Sequence, residues 1–203
     1  QGTIRIENSQ LKLPKIKSLV PLHQHREIKG TIKSATISAK NLEEFYVSLL
    51  CEEQVRHLPK TKQKLTIRYS PGQLLTTDQQ LELTAFDQEQ LKQKIAKEER
   101  RLEVRGISAR RRLVKLQDAK NYQKQKKRVL ALHRHKRARQ EAYMDELSLL
   151  LVKEFDTIHI LATPPQSTGN FSYSDWQKFL QKLTYKAHWY GKTLHHEAAA
   201  KQG

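Results

Sequence analysis

The sequence predicts a mixed fold, α+β or α/β in class: a small antiparallel barrel or half-barrel, then a second domain with a long basic helical arm. Three observations predict it. The first fifty residues alternate apolar and polar with a two-residue period, which is the signature of half-buried strands. After residue 86 the period lengthens to that of helices. Residues 92–139 hold 19 Lys and Arg against four acids, a balance of +15 in a chain whose net charge is +17.

The elements follow in order. TIRIE, LKL, IKSLVPL, EIKGTIKSATISA and EFYVSLLCE read as five short strands separated by turn residues, as in a small barrel. Ile32, Ala35 and Ile37 keep only an approximate period, which places a β-bulge in that strand. RHLPKTKQK is a polar link, so the first domain spans residues 1–58 and the second 59–196. KLTIRYSPG, GQLLTTD and LELTAF then read as a three-stranded meander. Arg68 sits in the middle of the first of these, and read by itself it marks an edge strand with one solvated face. Asp87 with Gln90 forms a capping-box pattern, Gly106 ends the first arm helix, and Ser108 caps a longer one reaching about Glu154. Leu113, Leu116, Val129 and Leu132 make a thin apolar seam along its first part. The arm covers about 87–140. DTIHILATPP is a buried strand, SYSDWQKFLQKLTYKAHWYG an amphipathic helix stopped by Gly191, and KTLHH a last strand. Residues 197–203 form a tail resembling a helical spacer.

Composition excludes several classes. No apolar run approaches the ~18 residues of a membrane span. One cysteine, Cys51, allows neither an internal disulfide nor a multi-cysteine zinc site, and fits a reducing, intracellular setting. The chain begins at Gln1 rather than Met, as expected of a processed chain or a piece of a longer one. Among the histidines, His133 and His135 lie two apart on a helix and face different ways, so no metal site and no cofactor is expected. Asp156 is read as a cap or turn residue, Asp175 as support for a helix N-terminus, and Trp176, Trp189 and Tyr190 as core.

A one-signed segment repels itself until an anion neutralises it, and nucleic acid is the usual partner, with an anionic membrane surface as competitor. The expected contacts are Arg110, Arg111, Arg112, Lys115, Lys120, Lys124, Lys126, Lys127, Arg128, Arg134, Lys136, Arg137 and Arg139, with Tyr122 exposed for stacking.

LKLPKIKSLVPLH with GTIKSATIS and FYVSL, LHRHKRARQEAYMDELSLLLVKEFDTIHI, and WQKFLQKLTYKAHWYGKTL occur in an order that resembles the TnpB (OrfB) transposon-encoded RNA-guided nucleases, relatives of the type V CRISPR effectors. The resemblance covers roughly residues 4–195. It implies the later part of a wedge-type β-barrel followed by a RuvC-like (RNase H-like) domain. In that family carboxylates on two strands hold two divalent metals that cleave phosphodiesters. The first acid position falls on Arg68 and the second on Leu161, and neither offers an oxygen to a metal. The third acid of the family lies beyond the end of this chain, as does its zinc knuckle, and the family's N-terminal half precedes it. The resemblance therefore implies a catalytically inactive protein that binds guide RNA and, through it, target DNA. It would act as an RNA-guided transcriptional repressor in a bacterial cytoplasm, at the nucleoid. The missing half would be another part of the chain or a second chain. The alternatives are an RNA-binding scaffold subunit or a decayed transposase remnant.

Overall fold

The computed structural model describes residues 4–24, 27–39, 44–81, 86–164 and 169–197. The chain divides into two compact units, residues 1–56 and 57–203.

In the first unit β1 (Arg5–Glu7), β2 (Gln10–Lys12) and β3 (Val20–Pro21) form a three-stranded antiparallel sheet. β4 (Thr31–Ala39) and β5 (Phe45–Glu52) form a separate two-stranded ribbon. The register of the ribbon shifts between Ile32 and Ser34, where the broken alternation predicts the bulge. Of the two forms expected, a barrel or a half-barrel, the closed one is corrected here: among the described residues none of these sheets closes. β3 is two residues long and ends on Pro21, which has no N–H with which to extend a ladder.

In the second unit β6 (Lys64–Ser70), β7 (Leu74–Thr77), β8 (Thr157–Leu161) and β9 (Thr193–Glu197) form one sheet in the order β7-β6-β8-β9. β7 runs antiparallel to β6, whereas β8 is parallel to both β6 and β9. β6 is thus a central strand, which overturns the edge-strand reading of Arg68. The remaining strand of the expected meander, residues 81–86, lies largely outside the described residues.

Helices α1 (Glu89–Arg111) and α2 (Lys120–Glu154) connect β7 to β8, and α3 (Tyr173–Tyr190) connects β8 to β9. α3 starts on a capping box, with Ser172 and Asp175 each satisfying the other's backbone N–H, and it ends at Gly191 in the left-handed region, φ 70°. Leu65, Ile67 and Tyr69 of β6 and Ile158 and Ile160 of β8 face a core closed by Met144, Leu151 and Val152 of α2 and Phe179 and Leu183 of α3. One face of the sheet is therefore covered by helices. The alternate residues Arg68, His195 and Glu197 are exposed on the other face, and Thr66, His159 and Leu161 are half-buried there. Among the described residues no helix is long and apolar enough to cross a membrane.

Candidate nucleic-acid interface

The register of the central strands decides what stands next to what. β6 and β8 pair Arg68 with Leu161, and β8 and β9 pair Leu161 with Glu197, while Thr76 lies opposite Arg68 on the other side. The Arg68 side chain has no hydrogen bond or ion pair among the described residues and is exposed, so its charge is open to solvent. One pair of residues further along, Thr66, His159 and His195 form the adjacent row. His159 Nδ1 lies 2.5 Å from Glu197 Oε1, and its ring stacks on His195 at 5.1 Å between centroids.

This register is held at the start of the strands by a buried ion pair. Lys192 Nζ donates to Asp156 Oδ1 at 2.6 Å and to the Pro59 carbonyl at 2.9 Å. Asp156 Oδ2 accepts the Lys62 N–H at 2.6 Å, and the Thr61 hydroxyl donates to the Glu154 carbonyl. The link entering β6 is thus tied to the residue entering β8. The hydrogen bond from Lys192, joined by the Lys62 and Thr61 N–H groups, holds the Asp156 carboxyl down at about 2 despite its burial. Asp156 is an ion-pair anchor rather than the cap or turn residue that its position suggests.

The arm is an antiparallel helical hairpin with boundaries different from those expected. α1 does not stop at Gly106 but runs through it to Arg111, and Ser108 is a mid-helix residue rather than a cap. Gly106 lies on the helix–helix seam, where a Cβ would meet only the Tyr122 ring, at 3.4 Å. Glycine there serves packing, and the chain turn comes at residues 112–119. The expected capping box of Asp87 with Gln90 is corrected too: the N-cap is Gln88, which makes no side-chain cap hydrogen bond, and Asp87, one residue earlier, accepts the Glu89 N–H at 2.8 Å.

The seam is polar at its centre. Glu98 is 3% exposed and accepts Gln125 Nε2 at 2.7 Å and Arg101 Nη1 at 2.8 Å, with Arg128 Nε at 3.5 Å. The hydrogen bond from Gln125 outweighs burial, and with the two guanidiniums it holds the Glu98 carboxyl below its usual range. Leu91, Ile95, Glu98, Leu102 and Ala109 follow a spacing of seams, so the signal for a buried Glu98 was present in the sequence.

The expected contact residues divide by position. Arg110, Arg111, Arg112, Lys115, Lys120, Lys124, Lys126, Lys127, Arg128, Arg134, Arg137 and Arg139 are exposed, and Lys136 is half-buried. Three of them also serve the fold: Arg128 flanks Glu98, Arg139 donates to the Asp87 carbonyl at 3.1 Å, and Arg112 to the Ser108 carbonyl at 3.3 Å. Lys124, Lys126, Lys127, Arg134 and Arg137 have no such partner among the described residues. Tyr122 is corrected: it is half-buried against Gly106, not an exposed stacking residue. Leu113 and Leu116 are corrected as well: both lie outside the two helices, Leu113 94% exposed and Leu116 half-buried. Trp176 is core as expected and Tyr190 packs against the core, but Trp189 is half exposed and meets the Tyr185 ring at a tilt of 59°. Among the described residues no group of three or more His, Cys, Asp or Glu side chains could hold a metal ion.

No protein-family model matches the chain, and no curated protein matches it.

Proposed function

We propose that this chain is a nucleic-acid-binding protein on a RuvC-like frame whose cleavage chemistry has been replaced, and that it uses a guide RNA to occupy target DNA and repress transcription. The observation that carries this reading is the pairing of Arg68 with Leu161 across β6 and β8. Two carboxylates that share a pair of metals must stand side by side on one sheet face, and adjacent strands lie only about 4.8 Å apart. The two positions at which the TnpB resemblance puts acids, 93 residues apart in the chain, are direct neighbours here. At those positions a guanidinium repels a divalent cation and leucine offers no ligand, so the frame supports binding without cleavage.

The arm supplies the binding. Its exposed cations spread over the faces of α2 turned away from α1 rather than lining one stripe, which suits a ligand that wraps the arm or several phosphate strands meeting there. Phosphate contacts give affinity and position but carry little sequence information, so sequence choice is assigned to base pairing by a guide. The test is to purify the protein from its native cells and sequence the RNA that accompanies it. One abundant structured RNA with a short variable end is expected, and that end names the DNA target. A mixture of ribosomal and messenger fragments would overturn the guide.

A further inference from the structure

The tip of the arm carries a feature that phosphate binding does not need. α1 ends at Arg111 with Arg112 as its C-cap, the Leu113 N–H donating to the Arg110 carbonyl at 2.9 Å and the Val114 N–H to the Ala109 carbonyl at 3.0 Å. This is the Schellman closure, in which the residue after the cap adopts the left-handed region and is usually glycine. Here that residue is Leu113, at φ 53°. A leucine is strained in this conformation, and its side chain, 94% exposed, gains nothing from the fold in return. Arg110, Arg111, Arg112 and Lys115 surround it in sequence, all exposed, and the nearest acid is Asp118.

We propose that Leu113 is an apolar wedge that inserts among the bases of the nucleic acid bound by the arm, with Arg110, Arg111, Arg112 and Lys115 on the flanking phosphates. Apolar side chains beside cations unstack bases in this way, and the contact repays the strained turn only in the complex. The inference rests on the reading of the arm as a nucleic-acid interface. Charge narrows the occupant: four cations within six residues call for a polyanion, and the exposed cations continue from the tip along α2 to Arg139, which favours an elongated nucleic acid over a surface met by the tip alone. An anionic membrane surface is the competing polyanion.

The experiment uses the full chain and a synthetic RNA hairpin carrying 2-aminopurine in its loop, whose emission rises on unstacking. Leu113→Gly places in the turn the residue best suited to it, so the variant is expected to melt no lower than the parent. It is expected to bind about tenfold more weakly and to lose the emission change. The slope of log affinity against log salt stays as in the parent, because no phosphate contact is removed. Leu113→Met restores most of the affinity. Replacing Arg110, Arg111 and Arg112 by Gln lowers that slope by roughly two. Parent-like affinity and emission in Leu113→Gly would overturn the wedge while leaving the interface in place. A parent protein that binds phosphatidylglycerol vesicles and not the hairpin would overturn both.

Discussion

Single side chains in this protein are set by what faces them across a strand or a seam. Asp156 is the clearest case. Its carboxyl sits at about 2 because the Lys192 ammonium donates to it directly and the Lys62 N–H donates to its second oxygen. In the unfolded chain the same group titrates near the ordinary value for aspartate, about 3.9. The folded state thus holds the proton more weakly than the unfolded state. The stabilisation is fully present above pH 4 and is lost as the pH falls from about 4 towards about 2. Asp156→Asn leaves Lys192 buried beside a neutral amide, and it is expected to lower the thermal midpoint at pH 7 by several degrees. The gap between variant and parent should narrow by pH 3 and close only as the pH falls through about 2. Thermal melts across that range check it, and a gap that persists unchanged at low pH would assign the loss to packing instead.

At the scale of elements, the arm is a hairpin whose seam is held by a polar centre as well as by apolar contacts. This changes which substitutions test its role. Arg128 lies 3.5 Å from the Glu98 carboxylate, so reversing its charge would bring a second acid against a buried one and loosen the hairpin. Lys124, Lys126 and Lys127 stand clear of the seam. Replacing these three by Glu is expected to leave the helical signal in circular dichroism intact. RNA affinity should fall by at least tenfold, with a flatter salt dependence. Filter binding over a salt series reads both, and undiminished affinity would remove the arm from the interface. The hairpin also shows what was legible in the sequence. Charge, period and approximate length were all plain there. The turn was not, because Gly106 has two meanings: it ends helices when nothing packs on it, and it continues them when a ring such as Tyr122 does. Leu113 was misplaced for a related reason, since a leucine in a glycine conformation leaves no pattern. The bulge near Ile32, the support that Asp175 gives the start of α3 and the stop at Gly191 were legible because each depends on neighbours within a few residues. The Asp156–Lys192 anchor joins residues 36 apart through burial, which no local pattern carries.

At the scale of the molecule, the question is whether the second unit is a nuclease frame with its chemistry exchanged or a sheet that resembles one by chance. The order β7-β6-β8-β9, with β7 the antiparallel member and helices on one face, leaves the opposite face of the two central strands open. That is where metal-dependent cleavage would occur. If the frame is what the TnpB resemblance implies, restoring the acids should restore the metal site without rebuilding anything else. Arg68→Asp combined with Leu161→Glu places two carboxylates on paired residues of the open face, neither of them in the core. The double variant is expected to gain a Mn²⁺-dependent rise in thermal midpoint that the parent lacks, while either single substitution gives a smaller rise. The gain is expected to be weak, since two carboxylates fill only part of a six-ligand shell. Calorimetric titration with Mn²⁺ checks the same point directly. If the double variant binds no metal, the pairing of residues 68 and 161 is a coincidence of sheet geometry. The case for function would then stand on the charge of the arm alone, which supports nucleic-acid binding but assigns neither a guide nor a target.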